Sequence, residues 1–338
     1  MKQRRLGRTA LVVPEIGLGT MTFGSMADES ESLAILDKGF DAGLNFLDLA
    51  EVYPVPPDPE TAGRTEEICG KWLVGRPRDA VILATKVAGP TGGWFQGPVR
   101  GGQTGLDRHN IEQAVEASLR RLGTDYIDLY QTHWPEPDFP IEDTMEALDR
   151  LVEAGKVRAV GCSNESAYGL TKSLGKSELL GLARYETIQN NYSLLNRRFE
   201  DELANVCLRE QVSLLAYSPL AGGVLSGKYD GGAWPEGARF SRYREHSKRT
   251  EVMTRRFINE KTLAATARIH EIASDCGMAP VTFAVAWTLT KKFLGSCLIG
   301  VTSAAQLDDH LAAADARIPD DALQACDRLA KDIPYPMG

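Results

Sequence analysis

The chain has 338 residues, 43% hydrophobic and 25% charged, the proportions of a globular protein with ample chain for a core in one domain or two. Its formal charge of −8 and pI near 5.3 argue against a nucleic-acid surface, since no basic run is dense enough to follow phosphates. The nearest, RFSRYREHSKR at 239–249, is interrupted by an acid and aromatics and reads as a solvated loop, apart from its first arginine.

Cysteines 69, 162, 207, 276, 297 and 326 lie far apart without a CxxC pair, so they read as reduced core thiols. The N-terminus MKQRRLGRTALVV has no apolar leader, and no segment reaches the ~18 apolar residues of a membrane helix. The expectation is a cytoplasmic protein with no membrane or nucleic-acid partner.

In chain order, RRLGRTALVVP (4–14) reads as a hairpin, followed by eight β-rich runs: 15–19, 44–50, 80–86, 126–133, 157–163, 185–191, 212–218 and 296–301. Amphipathic helices separate them. In NIEQAVEASLRRLG, Asn110 is the expected cap, Ile111, Val115, Leu119 and Leu122 share a face, and Gly123 ends the helix. IEDTMEALDRLVEAGK repeats the pattern and closes on Gly155. Apolar strands alternating with helices predict an α/β fold, a closed (β/α)8 TIM barrel with the hairpin plugging its bottom and the whole chain forming one domain. Proline- and glycine-rich stretches at 54–63, 89–107 and 231–247 are expected loops at the carboxyl ends of strands. A doubly wound sheet is the alternative, but no GxGxxG follows the first strand.

Three consecutive runs end in polar groups: Asp48 with Tyr53 just beyond, Lys86, and His133. Singly, each has an ordinary structural reading as a cap, a rim residue or a snorkelling side chain. In a parallel barrel the three strand ends meet at one mouth, where active sites are built. An ammonium within ~4 Å of the phenol would favour phenolate by up to ~4 kcal/mol at an effective dielectric of ~20, roughly three pKa units, and so bring Tyr53 toward neutrality. Asp48 would orient Lys86 and keep it charged, while His133 would donate to a substrate oxygen.

The stretches GLGTMTFG, LDLAEVYPVPPDPETAGRTEE, ATKV, TDYIDLYQTHWP, AGKVRAVGCSNES, TIQNNYSLLNR, AYSPLAGGVLSGKY and GVTSAAQLDDH resemble the aldo-keto reductase family, most closely its Tas-like branch. The resemblance implies a (β/α)8 barrel that reduces aldehydes or ketones with a nicotinamide cofactor, and a catalytic tetrad at Asp48, Tyr53, Lys86 and His133. It implies cofactor contacts at Thr20, Met21, Asp48, Ser163, Asn164 and Gln189, a stacking ring at Tyr217, and a phosphate turn at Ser218, Pro219, Leu220 and Gly222. Lys228 and Arg239 correspond to basic positions near the phosphates. Gly300, Thr302, Gln306, Asp309 and His310 correspond to the adenosine end. Trp134 is the expected neighbour of substrate, alongside Tyr53 and His133.

Many relatives carry arginine at the position of Gln306 and asparagine at that of His310. NADPH remains the expected cofactor, with NADH as the alternative, because Lys228 and Arg239 can supply the missing charge. Regulatory subunits of potassium channels share the family, but their counterpart of His133 is commonly asparagine. A metal-dependent hydrolase is disfavoured: the five histidines (109, 133, 246, 270 and 310) include no HxH or HExxH arrangement, and no metal is expected.

Overall fold

The computed structural model describes residues 1–90, 98–102 and 104–337. Strands β1 (Gln3–Arg5) and β2 (Val12–Pro14) pair antiparallel, with Gln3 opposite Pro14 and Arg5 opposite Val12. This is the expected hairpin. Its buried Leu6, Leu11 and Val13 pack against Phe46, Ala84, Leu129, Ala159, Leu215 and Leu298, closing the amino-terminal end of a barrel.

The barrel strands are β3 (Ile16–Gly19), β4 (Phe46–Asp48), β5 (Ile82–Val87), β6 (Ile127–Thr132), β7 (Val157–Ser163), β8 (Tyr185–Asn191), β9 (Ser213–Tyr217) and β10 (Leu294–Ile299). They run parallel in chain order, and β10 closes onto β3. All eight strands expected from the sequence are present. β4 is shorter than the run 44–50, because the Leu44 N–H is taken by the Gly39 carbonyl at the end of the preceding helix. β10 begins two residues earlier than expected, since Leu294 already pairs with Leu214.

Helices Glu29–Asp41, Arg64–Leu73, Arg108–Leu122, Ile141–Glu153, Ala167–Leu180 and Leu203–Glu210 each follow a strand, from β3 to β8. They bury the outward side chains, Leu47, Leu83, Val160 and Ile188 among them, in one continuous apolar shell. Gly123 and Gly155 leave their helices with φ of 65° and 71°, a conformation glycine reaches without strain. Asn110 is not the cap of its helix. Asp107 is, accepting from the Asn110 N–H, because the helix starts one turn earlier than its apolar stripe.

Side-chain alternation along a strand sets which residues line the barrel. Phe46, Ala84, Leu129, Ala159, Leu215 and Leu298 face the hairpin plug. Two residues on, the same strand faces bring Asp48, Lys86, Gln131, Gly161, Tyr217 and Gly300 to the next level toward the mouth.

The segment 231–247 is a loop only in its first half. Arg239–His246 is a helix that buries Phe240, Ser241 and Tyr243, followed directly by the helix Lys248–Phe257. Its many charged residues concealed a short apolar stripe whose partners lie elsewhere in the chain: Phe240 packs on Gly222 and, as a tilted ring pair, on Phe257. The stretch 54–63 is irregular, as expected, whereas the expected loop 89–107 lies partly outside the described residues.

All six cysteines are unpaired, five of them buried. Among the described residues no single helix is long and apolar enough to cross a membrane.

Gly70 marks the closest approach of the helices Arg64–Leu73 and Arg108–Leu122: a Cβ there would lie 2.3 Å from the Arg121 carbonyl oxygen. Gly70→Ala is therefore expected to destabilise by ~1–3 kcal/mol in urea unfolding. Gly175→Ala, on a helix with open space around it, is expected to stabilise by ~0.5–1 kcal/mol in the same assay.

Candidate active site at the barrel mouth

Lys86 is the deepest of the four polar residues, with no solvent exposure, and Asp48, His133 and Tyr53 are each less than a tenth exposed. An ammonium has three protons to place. Lys86 Nζ lies 2.7 Å from Asp48 Oδ2, 2.7 Å from the Leu49 carbonyl and 3.5 Å from Tyr53 Oη. Three acceptors for three N–H groups support the charged form, although burial pulls the lysine below its ordinary value against the opposing pull of Asp48. With Tyr53 Oη accepting from Lys86, the phenolic proton is left to point elsewhere.

One sequence-based expectation fails here. Burial pushes the Tyr53 phenol well above its ordinary value, Asp48 adds to the effect, and Arg239 opposes it. Removing a would-be phenolate from water outweighs the nearby ammonium, whose charge is already neutralised by Asp48. Tyr53 is a protonated phenol at rest.

His133 follows β6, and its N–H bonds the Val87 carbonyl on the neighbouring strand. Its ring meets Tyr53 edge-on at 5.7 Å and stacks on Trp134 at 3.8 Å. Burial, with the Lys86 charge behind it, holds the imidazole well below its ordinary value, so it is neutral. Its Nδ1 is buried without a partner.

The second carboxylate oxygen of Asp48 accepts from Gln189 Nε2 at 2.8 Å and from Gln131 Nε2 at 3.3 Å. Sequence reasoning missed Gln131. The signal was available, because it is a glutamine inside an apolar strand, two residues before His133 and hence on the same face.

The other candidate residues fall into three groups around the rim. Ser163 Oγ donates to the Gln189 carbonyl at 2.8 Å, and Asn164 Nδ2 donates to the His133 carbonyl at 2.9 Å. Tyr217 Oη donates to Asn164 Oδ1 at 2.7 Å; burial pushes this phenol up to about 12, so it keeps its proton. On the opposite side, the Thr20 hydroxyl donates to the Asp48 carbonyl, and the half-buried Met21 receives the Val55 N–H on its own carbonyl.

The turn after β9 is held by Ser218, in a left-handed conformation (φ 60°), whose hydroxyl takes the Gly222 N–H. Buried Pro219 and half-buried Leu220 continue the turn. Gly222 and Gly223 have φ of 68° and 100°; Phe240 covers the first and the Lys228 side chain lies over the second. Arg239 is close enough to bear on both Lys228 and Tyr53.

Beyond β10, exposed Gly300 leads to Thr302, whose N–H is taken by the Gln306 side chain at 2.9 Å. The Asp309 carbonyl accepts from Thr282, and its side chain is exposed. Buried His310 is bonded through Nδ1 to the Gln306 carbonyl at 2.8 Å, with Nε2 unpartnered. Burial holds the His310 imidazole below its ordinary value, and Lys228 adds to the effect. No group of three or more histidine, cysteine or acidic side chains among the described residues is placed to hold a metal.

The closed parallel barrel, with this buried acid, ammonium and phenol at the carboxyl ends of its strands, defines the class as a (β/α)8 barrel with a polar mouth. The chain belongs to the aldo/keto reductase family, whose model matches residues 15–331. It is 40% identical to the Tas protein of Escherichia coli (strain K12), over 99% of each chain. It is 33% identical to the uncharacterized oxidoreductase YrpG of Bacillus subtilis (strain 168), over 100% of this chain and 98% of that one. A third relative, 31% identical over 93% of this chain and 92% of its own, is the probable voltage-gated potassium channel subunit beta of Arabidopsis thaliana.

Members of the family generally use NADP(H). The residues present fit such a cofactor: two buried imidazole nitrogens without partners lie on His133 and His310, and the turn 218–223 carries two glycines in left-handed conformation with a lysine above it.

The depressed imidazole has a direct readout. In a histidine-resolved NMR titration, the His133 ring is expected to stay neutral down to a midpoint below its ordinary value of about 6.5. A midpoint at or above that value would contradict the desolvated setting described here.

Proposed function

We propose that the chain is an NADPH-dependent reductase of aldehydes or ketones, a single barrel domain in which Tyr53 is the proton donor. The 3.5 Å approach of Lys86 Nζ to Tyr53 Oη, inside a pocket where Asp48 fixes the lysine, carries this reading. When bound, NADPH supplies a hydride to the carbonyl carbon. The carbonyl oxygen then gains negative charge and becomes a far stronger base than a phenolate, so a phenol above its ordinary value still gives up its proton. Lys86 steadies the phenolate as it forms, and neutral His133 donates to the same substrate oxygen.

Ser163, Asn164 and Gln189 would hold the nicotinamide carboxamide, whose amide and carbonyl suit their mixed donors and acceptors. Tyr217, pinned by its bond to Asn164, would cover one ring face and leave the other to substrate. Thr20 and Met21 would border the ring. The Ser218–Gly223 turn with Lys228 and Arg239 would take the pyrophosphate, and Thr302, Gln306, Asp309 and His310 the adenosine end. Trp134, stacked on His133, would form a substrate wall. Six unpaired thiols suit the reducing cytoplasm.

The similarity to a protein named as a potassium channel subunit supports one alternative, a regulatory barrel that binds cofactor with little turnover. Histidine at 133, able to donate to a substrate oxygen, favours the reductase.

Tyr53→Phe is expected to bind NADPH normally, by fluorescence quenching, while losing carbonyl reduction by ~10²–10⁴-fold. Near-normal turnover in that variant would remove Tyr53 as the acid. Parallel titrations of the wild type with NADPH and NADH are expected to favour NADPH, because Lys228 bears on His310 at the adenosine end as well as lying over the turn, and so supplies positive charge that Gln306 lacks; equal affinities would refute that assignment.

A further inference from the structure

Glu51 lies between Asp48 and Tyr53 in sequence and takes no part in their hydrogen bonds. Its carboxylate is buried, at 1% exposure, and it is fully occupied. Oε1 accepts the Ala88 N–H at 2.7 Å and Arg100 Nη2 at 2.8 Å, while Oε2 accepts Arg100 Nη1 at 2.6 Å. The guanidinium therefore grips the carboxylate with both arms, the geometry for which arginine and lysine are not interchangeable.

Arg100 is held on its other side as well. Its Nε donates to Asn110 Oδ1 at 3.0 Å, and Asn110 in turn donates to Asp107 at the start of the next helix. The backbone of Arg100 has φ of 49°, a left-handed conformation that a non-glycine residue keeps only when its surroundings impose it. Asn110, expected to cap a helix, is instead the far anchor of this arginine.

The residue so fixed in space is the neighbour of Arg100. Val99 packs against the small buried cluster Ala50, Val52, Tyr53 and Ala88, as do Met21, Val55 and Trp134, the last being the ring stacked on His133. Among the described residues this cluster shares Val55 with the outer shell and no residue with the barrel plug. One buried ion pair thus joins the segment carrying the proposed acid to the loop carrying Val99, a member of the same apolar cluster.

We propose that Glu51 and Arg100 form a latch that fixes Val99 as a wall of the carbonyl-substrate pocket, and that this wall restricts the size of the aldehyde or ketone accepted. Val99 is the specificity-determining residue, and Glu51 and Arg100 are positioning residues. The inference rests on the reductase reading. Breaking one partner of a buried pair leaves the other charge stranded, so the useful variants keep the charge or avoid it. Arg100→Lys retains the cation and loses the two-armed grip. Val99→Ala removes the wall and leaves the latch.

The test is steady-state reduction of propanal and of 4-nitrobenzaldehyde with NADPH by wild type, Arg100→Lys and Val99→Ala, alongside NADPH affinity by fluorescence quenching. Both variants are expected to raise the ratio of kcat/KM for the bulky aldehyde over the small one by about tenfold, the scale on which pockets discriminate a methylene or two. The change should lie mainly in KM, with NADPH affinity unchanged. An unchanged ratio in an active variant, or parallel loss of both substrates together with NADPH affinity, overturns the latch, since a purely structural pair would give those results. If Arg100→Lys does not fold, Val99→Ala decides the wall and Asn110→Ala, which removes the other anchor of Arg100 without removing a charge, decides the latch by the same ratio. Wild type inactive on both aldehydes sinks the reductase reading, and the latch with it.

Discussion

The site is organised by one ion pair, Lys86 with Asp48, closed off from water inside the barrel. Taking both charges out of solvent is costly, and the cost is recovered only if every proton and lone pair finds a partner. Here that condition is nearly met: the ammonium has three acceptors, and the carboxylate has the lysine on one oxygen and two glutamine amides on the other. The third acceptor of the lysine is the Tyr53 hydroxyl, so satisfying the ion pair and positioning the phenol are the same act.

This pair exists because the barrel stacks its inward side chains in layers. The lower layer is apolar and is stoppered by the hairpin through Leu6, Leu11 and Val13. A step of two residues along each strand replaces Phe46 by Asp48, Ala84 by Lys86 and Leu129 by Gln131. The polar layer therefore sits on an apolar floor and under a rim of loops. Burial there strengthens the interaction between charges, and burial of their own side chains holds the His133 imidazole neutral and the Tyr53 phenol protonated.

The electrostatics differ from simple pair arithmetic for the same reason. Counting only the lysine and the phenol predicts a more acidic tyrosine. In the folded chain the direction is the reverse, because burial penalises any further anion and the Asp48 charge opposes one as well. The resting phenol therefore keeps its proton.

Much of this architecture is legible in the residues themselves. Eight apolar strands alternating with helices, the hairpin before them, and polar groups ending three successive strands are local patterns written in side-chain periodicity, and each corresponds to an observed element. Features made by contacts distant in the chain were not readable in this way. The helix Arg239–His246 depends on Phe240 meeting Gly222, Gln131 acquires meaning only when Asp48 arrives from another strand, and the Asn110 side chain finds its role only when Arg100 is laid against it. Periodicity determines which face of an element is buried. Which charges share that burial, and hence which way their protons shift, is decided only when the closed barrel brings the strands together and shuts out water.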